Sequence, residues 1–138
     1  MDQLVDQMSL QELAGQMTQV TLEVLCTKTG GADKLPNLDP AALERVLVSA
    51  GVGSVLNVYD RALTQPVWHQ LIREIQQVAT SRTRLGIPVL YGIDAIHGHT
   101  YQHGALLHPH NLNLGATFDP ALVEALAQET AKEVAAAG

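Results

Sequence analysis

The chain has 138 residues, 46% of them hydrophobic and 16% charged, which is the size and composition of one globular domain and not of a disordered segment. Fourteen acidic residues outnumber eight basic ones, for a formal charge of -6, so no basic footprint points to nucleic acid. No apolar run approaches the roughly 20 residues that span a bilayer, the start MDQLVDQMSL lacks a signal-peptide pattern, and the lone Cys26 cannot form an internal disulfide.

Ser9 followed by Glu12 is a capping-box pattern, and Leu10, Leu13, Ala14 and Met17 then recur at helical spacing, which predicts a helix over about 10–19. TKTGGADKLPN reads as a loop. DPAALERVLVSAG opens on an Asp cap and proline and closes on Gly51, a second helix. The valine-rich VGSVLNV predicts a buried strand over 52–58. Trp68, Leu71, Ile72, Ile75, Val78 and Ala79 then form one helical stripe, with Thr64 placed to cap it and an end near Thr80. GIPVLYGI is a second strand, over 87–93, and DPALVEALAQETAKEVAAAG is the clearest helix. Alternating helices and strands imply an α/β fold with parallel strands and right-handed crossovers. Two strands are too few to close such a sheet, so the expectation is a fragment, the alternative being a non-catalytic or metal-binding α/β module that completes its sheet as an oligomer.

Chemistry concentrates in GIDAIHGHTYQHGALLHPHN, which holds five of the six histidines and directly follows the second strand. Ligand-binding side chains of parallel α/β folds gather where strands end. Asp94 stands at such a point, where a carboxylate can accept from two sugar hydroxyls at once; a turn-forming aspartate is the alternative. Asn57, at the end of the first strand, is expected at the same end of the sheet. His97 with His99, and His108 with His110, are His-x-His pairs that fit metal chemistry. They are nevertheless strung along a loop with Gly98, Gly104 and Pro109, and bracing of that loop by ring hydrogen bonds is the favoured reading; neither metal nor cofactor is expected. Tyr101 could stack on a sugar ring, whereas Trp68 lies on an apolar stripe and reads as core. Asp60 could face Asp94 as a second carboxylate, or pair with Arg61. No phosphate loop, dinucleotide fingerprint or Gly-x-Ser-x-Gly motif is present.

RLGIPVLYGIDAIHGH, followed by GALLHPHNLNLGATFDPALV, resembles the amino-terminal barrel of glycoside hydrolase family 3, and MSLQELAGQMTQ and GVGSVLNV resemble its opening helix and first strand. The resemblance covers nearly the whole chain. It implies a partial (β/α)8 TIM-like barrel, residues 1–138 forming the amino-terminal part of the barrel domain. It also implies a β-glucosidase-like, retaining, exo-acting activity on β-linked glucosides, with carbohydrate as partner and a periplasmic or secreted home. Carried onto this sequence, Asp94 matches the aspartate that binds hydroxyls of the sugar next to the scissile bond. His97, Tyr101 and Asn57 join it as candidate substrate-binding residues, His97 mainly as loop support. His108 departs from the aromatic or aliphatic residue usual before the Pro-His pair. The family's nucleophilic aspartate, its acid/base glutamate and its Lys-His pair have no counterpart here. Retaining hydrolysis needs two carboxyl groups about 5 to 5.5 Å apart, so the isolated chain is expected to be inactive.

Overall fold

The computed structural model describes residues 2–27, 36–58 and 62–138. Two compact units divide the chain: Met1–Tyr59 with Leu71–Gly92, and Asp60–Gln70 with Ile93–Gly138.

The first unit is built on a parallel sheet. After a short helix α1 (Asp2–Val5), helix α2 (Leu10–Gln16) begins as its sequence predicts. The Ser9 hydroxyl accepts from Glu12 N–H, and the Glu12 carboxylate accepts from Ser9 N–H. Glu12 also receives both Nε and a terminal nitrogen of Arg84, at 3.0 and 2.7 Å. That guanidinium and the Ser9 bonds lower its pKa from 4.5 to about 2.

Strands β1 (Gln19–Thr21), β2 (Ser54–Leu56) and β3 (Leu90–Gly92) pair in parallel in that spatial order, with Val20, Val55 and Tyr91 in register. β2 and β3 are the two strands expected from the sequence, each trimmed to its central residues. β1 is an addition to that expectation; it begins at the residue to which helical spacing extends the opening helix. The helix stops at Gln16 because the next residues turn into the sheet, where Gln19 Nε2 donates to the buried Ser54 hydroxyl at 2.7 Å.

Between β1 and β2 run a 3-10 turn (Leu22–Leu25), helix α3 (Pro40–Leu43) capped by Asp39, and a π-helical stretch, Glu44–Ser49. Gly51, at φ 66°, ends that stretch as its position predicts. Helix α4 (Gln65–Arg82) covers the predicted stripe and runs two residues further than expected. Its Gln76 lies in the first unit and bonds Val89 twice, donating Nε2–H to the carbonyl at 2.7 Å and accepting from N–H at 2.9 Å. Leu22, Leu25, Val55 and Ile75 are fully buried, and Leu47 nearly so. At about 25 cal/mol per Å², such burial is the main stabilising term of this unit.

The second unit holds the start of α4, a long loop, helix α5 (Asn111–Gly115) and helix α6 (Pro120–Ala137). Asp119 caps α6 by accepting from Leu122 N–H, with Pro120 in its first turn. Near its other end the Ala136 carbonyl, which lacks an intrahelical partner, takes Gln65 Nε2 and His69 Nε2, each at 2.7 Å. Among the described residues no helix is long and apolar enough to cross a membrane.

Candidate functional site

The sequence singles out Asn57, Asp94, His97 and Tyr101. Asn57 belongs to the first unit and the other three to the second.

Asn57 directly follows β2 and is held from both sides of its backbone. Its N–H donates to Gly92 O at 2.8 Å, and its carbonyl accepts from the Tyr91 hydroxyl at 2.5 Å. Its φ of 56° is left-handed, a conformation that asparagine tolerates better than most residues. Burial, with Cys26 and Glu23 as lesser contributors, pushes the Tyr91 phenol well above its ordinary pKa, so it stays a donor across the physiological range.

Asp94 follows Gly92, the last residue of β3, by two positions and is exposed. Beyond it the chain folds upon itself. His108 N–H donates to His97 O at 2.8 Å, and Gln102 N–H to His99 O at 3.0 Å. Gly98, at φ 93°, allows a close approach: a Cβ there would stand 2.0 Å from Leu106 O. The Tyr101 carbonyl accepts from Leu63 N–H at 2.8 Å and from Trp68 Nε1 at 3.0 Å. His103 N–H returns to Leu63 O at 2.9 Å. The Tyr101 backbone is thus tied to the segment that opens α4, and its ring is half-buried.

The histidines divide by environment. His97 and His110 meet ring to ring, centroids 4.3 Å apart and tilted by 50°. His99 is 1% exposed and lies against Trp68 with centroids 5.7 Å apart. Trp68, itself 1% exposed, is core as its stripe predicts. Among the described residues no group of three His, Cys, Asp or Glu side chains could hold a metal ion. Asp60, the other carboxylate considered, lies outside the described residues.

Sequence reasoning missed two participants. His99 is the enclosed imidazole of the loop, although nothing in its sequence context distinguishes it from its neighbours. Glu133 accepts from Leu106 N–H at 3.0 Å and braces the loop from α6, a contact between residues 27 positions apart.

The sequence model of the Glycosyl hydrolase family 3 N terminal domain matches residues 9–138. The chain belongs to glycosyl hydrolase family 3. The chain is similar to the lysosomal beta glucosidase of Dictyostelium discoideum, 32% identical over 148 aligned residues, which cover 99% of this chain and 17% of that protein. Two crystal structures of the exo-1,3/1,4-beta-glucanase of a Pseudoalteromonas species share its fold. A point-mutant form gives a TM-score of 0.75 at 29% identity, over 99% of this chain and 20% of that one. The other gives 0.74 at 31%, over 99% and 16%. The family 3 chain therefore spans about a fifth or less of the length of these relatives. The three-stranded parallel sheet agrees with the partial barrel that the family implies.

Proposed function

We propose that this family 3 chain supplies the part of a retaining β-glucosidase or β-glucanase that grips the sugar beside the scissile bond, residues 1–138 forming the amino-terminal part of the barrel domain. The observation that carries this reading is the position of Asp94: an exposed carboxylate two residues past a parallel strand, in the family motif GIDAIHGH, at the head of a loop secured by its own backbone bonds. Such a carboxylate accepts charge-assisted bonds from sugar hydroxyls, and these tighten as the ring distorts toward the transition state. In the same unit Tyr101 offers a half-buried ring for stacking and His97 supports the loop, while Asn57, at the end of β2 in the first unit, is proposed separately as a sugar-binding residue. The similarity to a beta glucosidase and to an exo-1,3/1,4-beta-glucanase supports a β-linked glucoside or glucan as the substrate class.

The nucleophile and the acid/base are assigned to chain outside these residues, in a longer enzyme or a partner. The isolated 138-residue chain should accordingly give no hydrolysis of an aryl β-glucoside. A chimera in which residues 9–138 replace the matching segment of the Pseudoalteromonas glucanase should be active. In that chimera Asp94→Asn keeps the shape and removes the charge. Each lost charge-assisted bond is worth about 1.5–3 kcal/mol, so losing one or two should lower kcat/KM by about ten-fold for one weak bond to beyond about a thousand-fold for two strong ones. Near-normal kcat/KM in Asp94→Asn would reduce Asp94 to a loop cap, and hydrolysis by the isolated chain would require a catalytic pair within it.

A further inference from the structure

Four buried side-chain atoms lack a hydrogen-bond partner among the described residues: His99 Nδ1, Gln102 Oε1, His108 Nε2 and Glu133 Oε2. All four belong to the second unit. His99 is the most enclosed of them. Its ring lies against the Trp68 indole, whose Nε1 holds the Tyr101 carbonyl, and its own carbonyl accepts from Gln102 N–H. A neutral imidazole carries one N–H, and Nδ1 can serve as the bare acceptor nitrogen. A second proton would leave a buried N–H with no acceptor, beside an uncharged indole. From α4 the ring thus meets Trp68, and from α6 it feels the Glu133 carboxylate, which favours the charged form.

We propose that His99 is a positioning residue for the loop that carries Asp94 and Tyr101: as a neutral ring packed on Trp68 it holds the loop to the start of α4, and on taking up a proton it releases it. The significance for sugar binding rests on the reading of Asp94 given above. The electrostatics agree in sign. Burial lowers the pKa of His99 from its ordinary 6.5, and the opposing pull of Glu133 is the smaller effect. When the loop opens, His99 regains the ordinary value, so the open state binds more protons as pH falls below that range. The clasp is intact above pH 6.5 and weakens on the acid side, by about ten-fold per pH unit for a single proton until the folded pKa is reached.

The test uses the 138-residue chain itself, whose single tryptophan is Trp68. Between pH 8 and 5, Trp68 fluorescence and the exchange protection of the Leu63 and His103 amides should change together on the acid side of 6.5. Protection of the Asn57 amide, in the first unit, should not follow them. His99→Phe fills the same space with a ring that cannot titrate and should abolish the transition. Glu133→Gln removes the charge that assists protonation and should move the midpoint to lower pH. The proposal is overturned if the pH-dependent loss of protection persists in His99→Phe, or if the His99 ring protons in wild-type NMR spectra titrate at or above 6.5. Should His99→Phe not fold, the wild-type NMR midpoint and the Glu133→Gln shift decide. None of these readouts involves a sugar, so failure of the Asp94→Asn test would defeat the sugar-binding reading and leave the clasp standing.

Discussion

The two units of this chain solve the problem of buried polar groups differently. In the first, the Ser54 hydroxyl receives Gln19, the Gln76 amide uses both its donor and its acceptor on Val89, and Leu22, Leu25, Val55 and Ile75 are closed off from solvent. In the second, among the described residues, four buried polar atoms are unpartnered; exposed apolar side chains do not distinguish the units, since Leu10, Met17 and Leu90 of the first are about as open as Leu107, Leu112 and Phe118 of the second. An unsatisfied buried group costs about 1–3 kcal/mol, so this unit carries a penalty that the sheet does not. Scaffold and site are thereby separated. Among the described residues the unpartnered buried atoms all lie in the unit whose loop carries the chemistry, and none lies in the sheet unit.

The sharpest way to break the comparison is to cut the two units equally. Leu22→Ala, in the closed core, should lose about 2–5 kcal/mol of unfolding free energy in urea titrations, whereas Leu112→Ala, at 85% exposure, should stay within about 0.5 kcal/mol. Comparable losses would mean that the sheet unit is not the stabilising one. Gln76→Ala comes next. It strands both backbone groups of Val89 and should cost about 1–3 kcal/mol, with faster amide exchange at Val89 as its local mark. The smallest effect is Asp119→Ala, about 1 kcal/mol, because one cap bond at an exposed helix start is lost. A larger loss there, spreading to the Leu106 amide that Glu133 holds from the same helix, would tie the loop to the whole of α6 more tightly than the static contacts imply.

Much of this is legible in the residues alone. Ser9 with Glu12, Asp39 with Pro40 and Asp119 with Pro120 mark helix starts because side-chain capping is local chemistry, and all three caps are present. β2 and β3 are legible from their apolar runs, and the family from longer motifs. β1 is not, because Gln19-Val20-Thr21 holds a single apolar residue and becomes a strand only through the backbone of β2. The π-helical stretch likewise lies within a segment whose pattern reads as ordinary helix. At the site, Asp94 is legible from its place after a strand. His99 is not, since five histidines in one loop look alike until packing buries one of them against Trp68.

The order of the sheet also bears on how the chain acquires it. In the register Gln19, Ser54, Leu90, each strand must wait for about 35 residues of intervening chain before its parallel neighbour exists. At about 5–20 residues per second of ribosomal synthesis, β1 and β3 are separated by roughly 4–14 seconds, far longer than the microseconds in which a helix forms. During that interval β1 and then β2 carry unpaired backbone edges, with Leu22, Leu25 and Val55 not yet covered. Nascent α2 and α4 can be helical long before any sheet is present, and the emergence of Leu90 is the event that commits the first unit to its native topology.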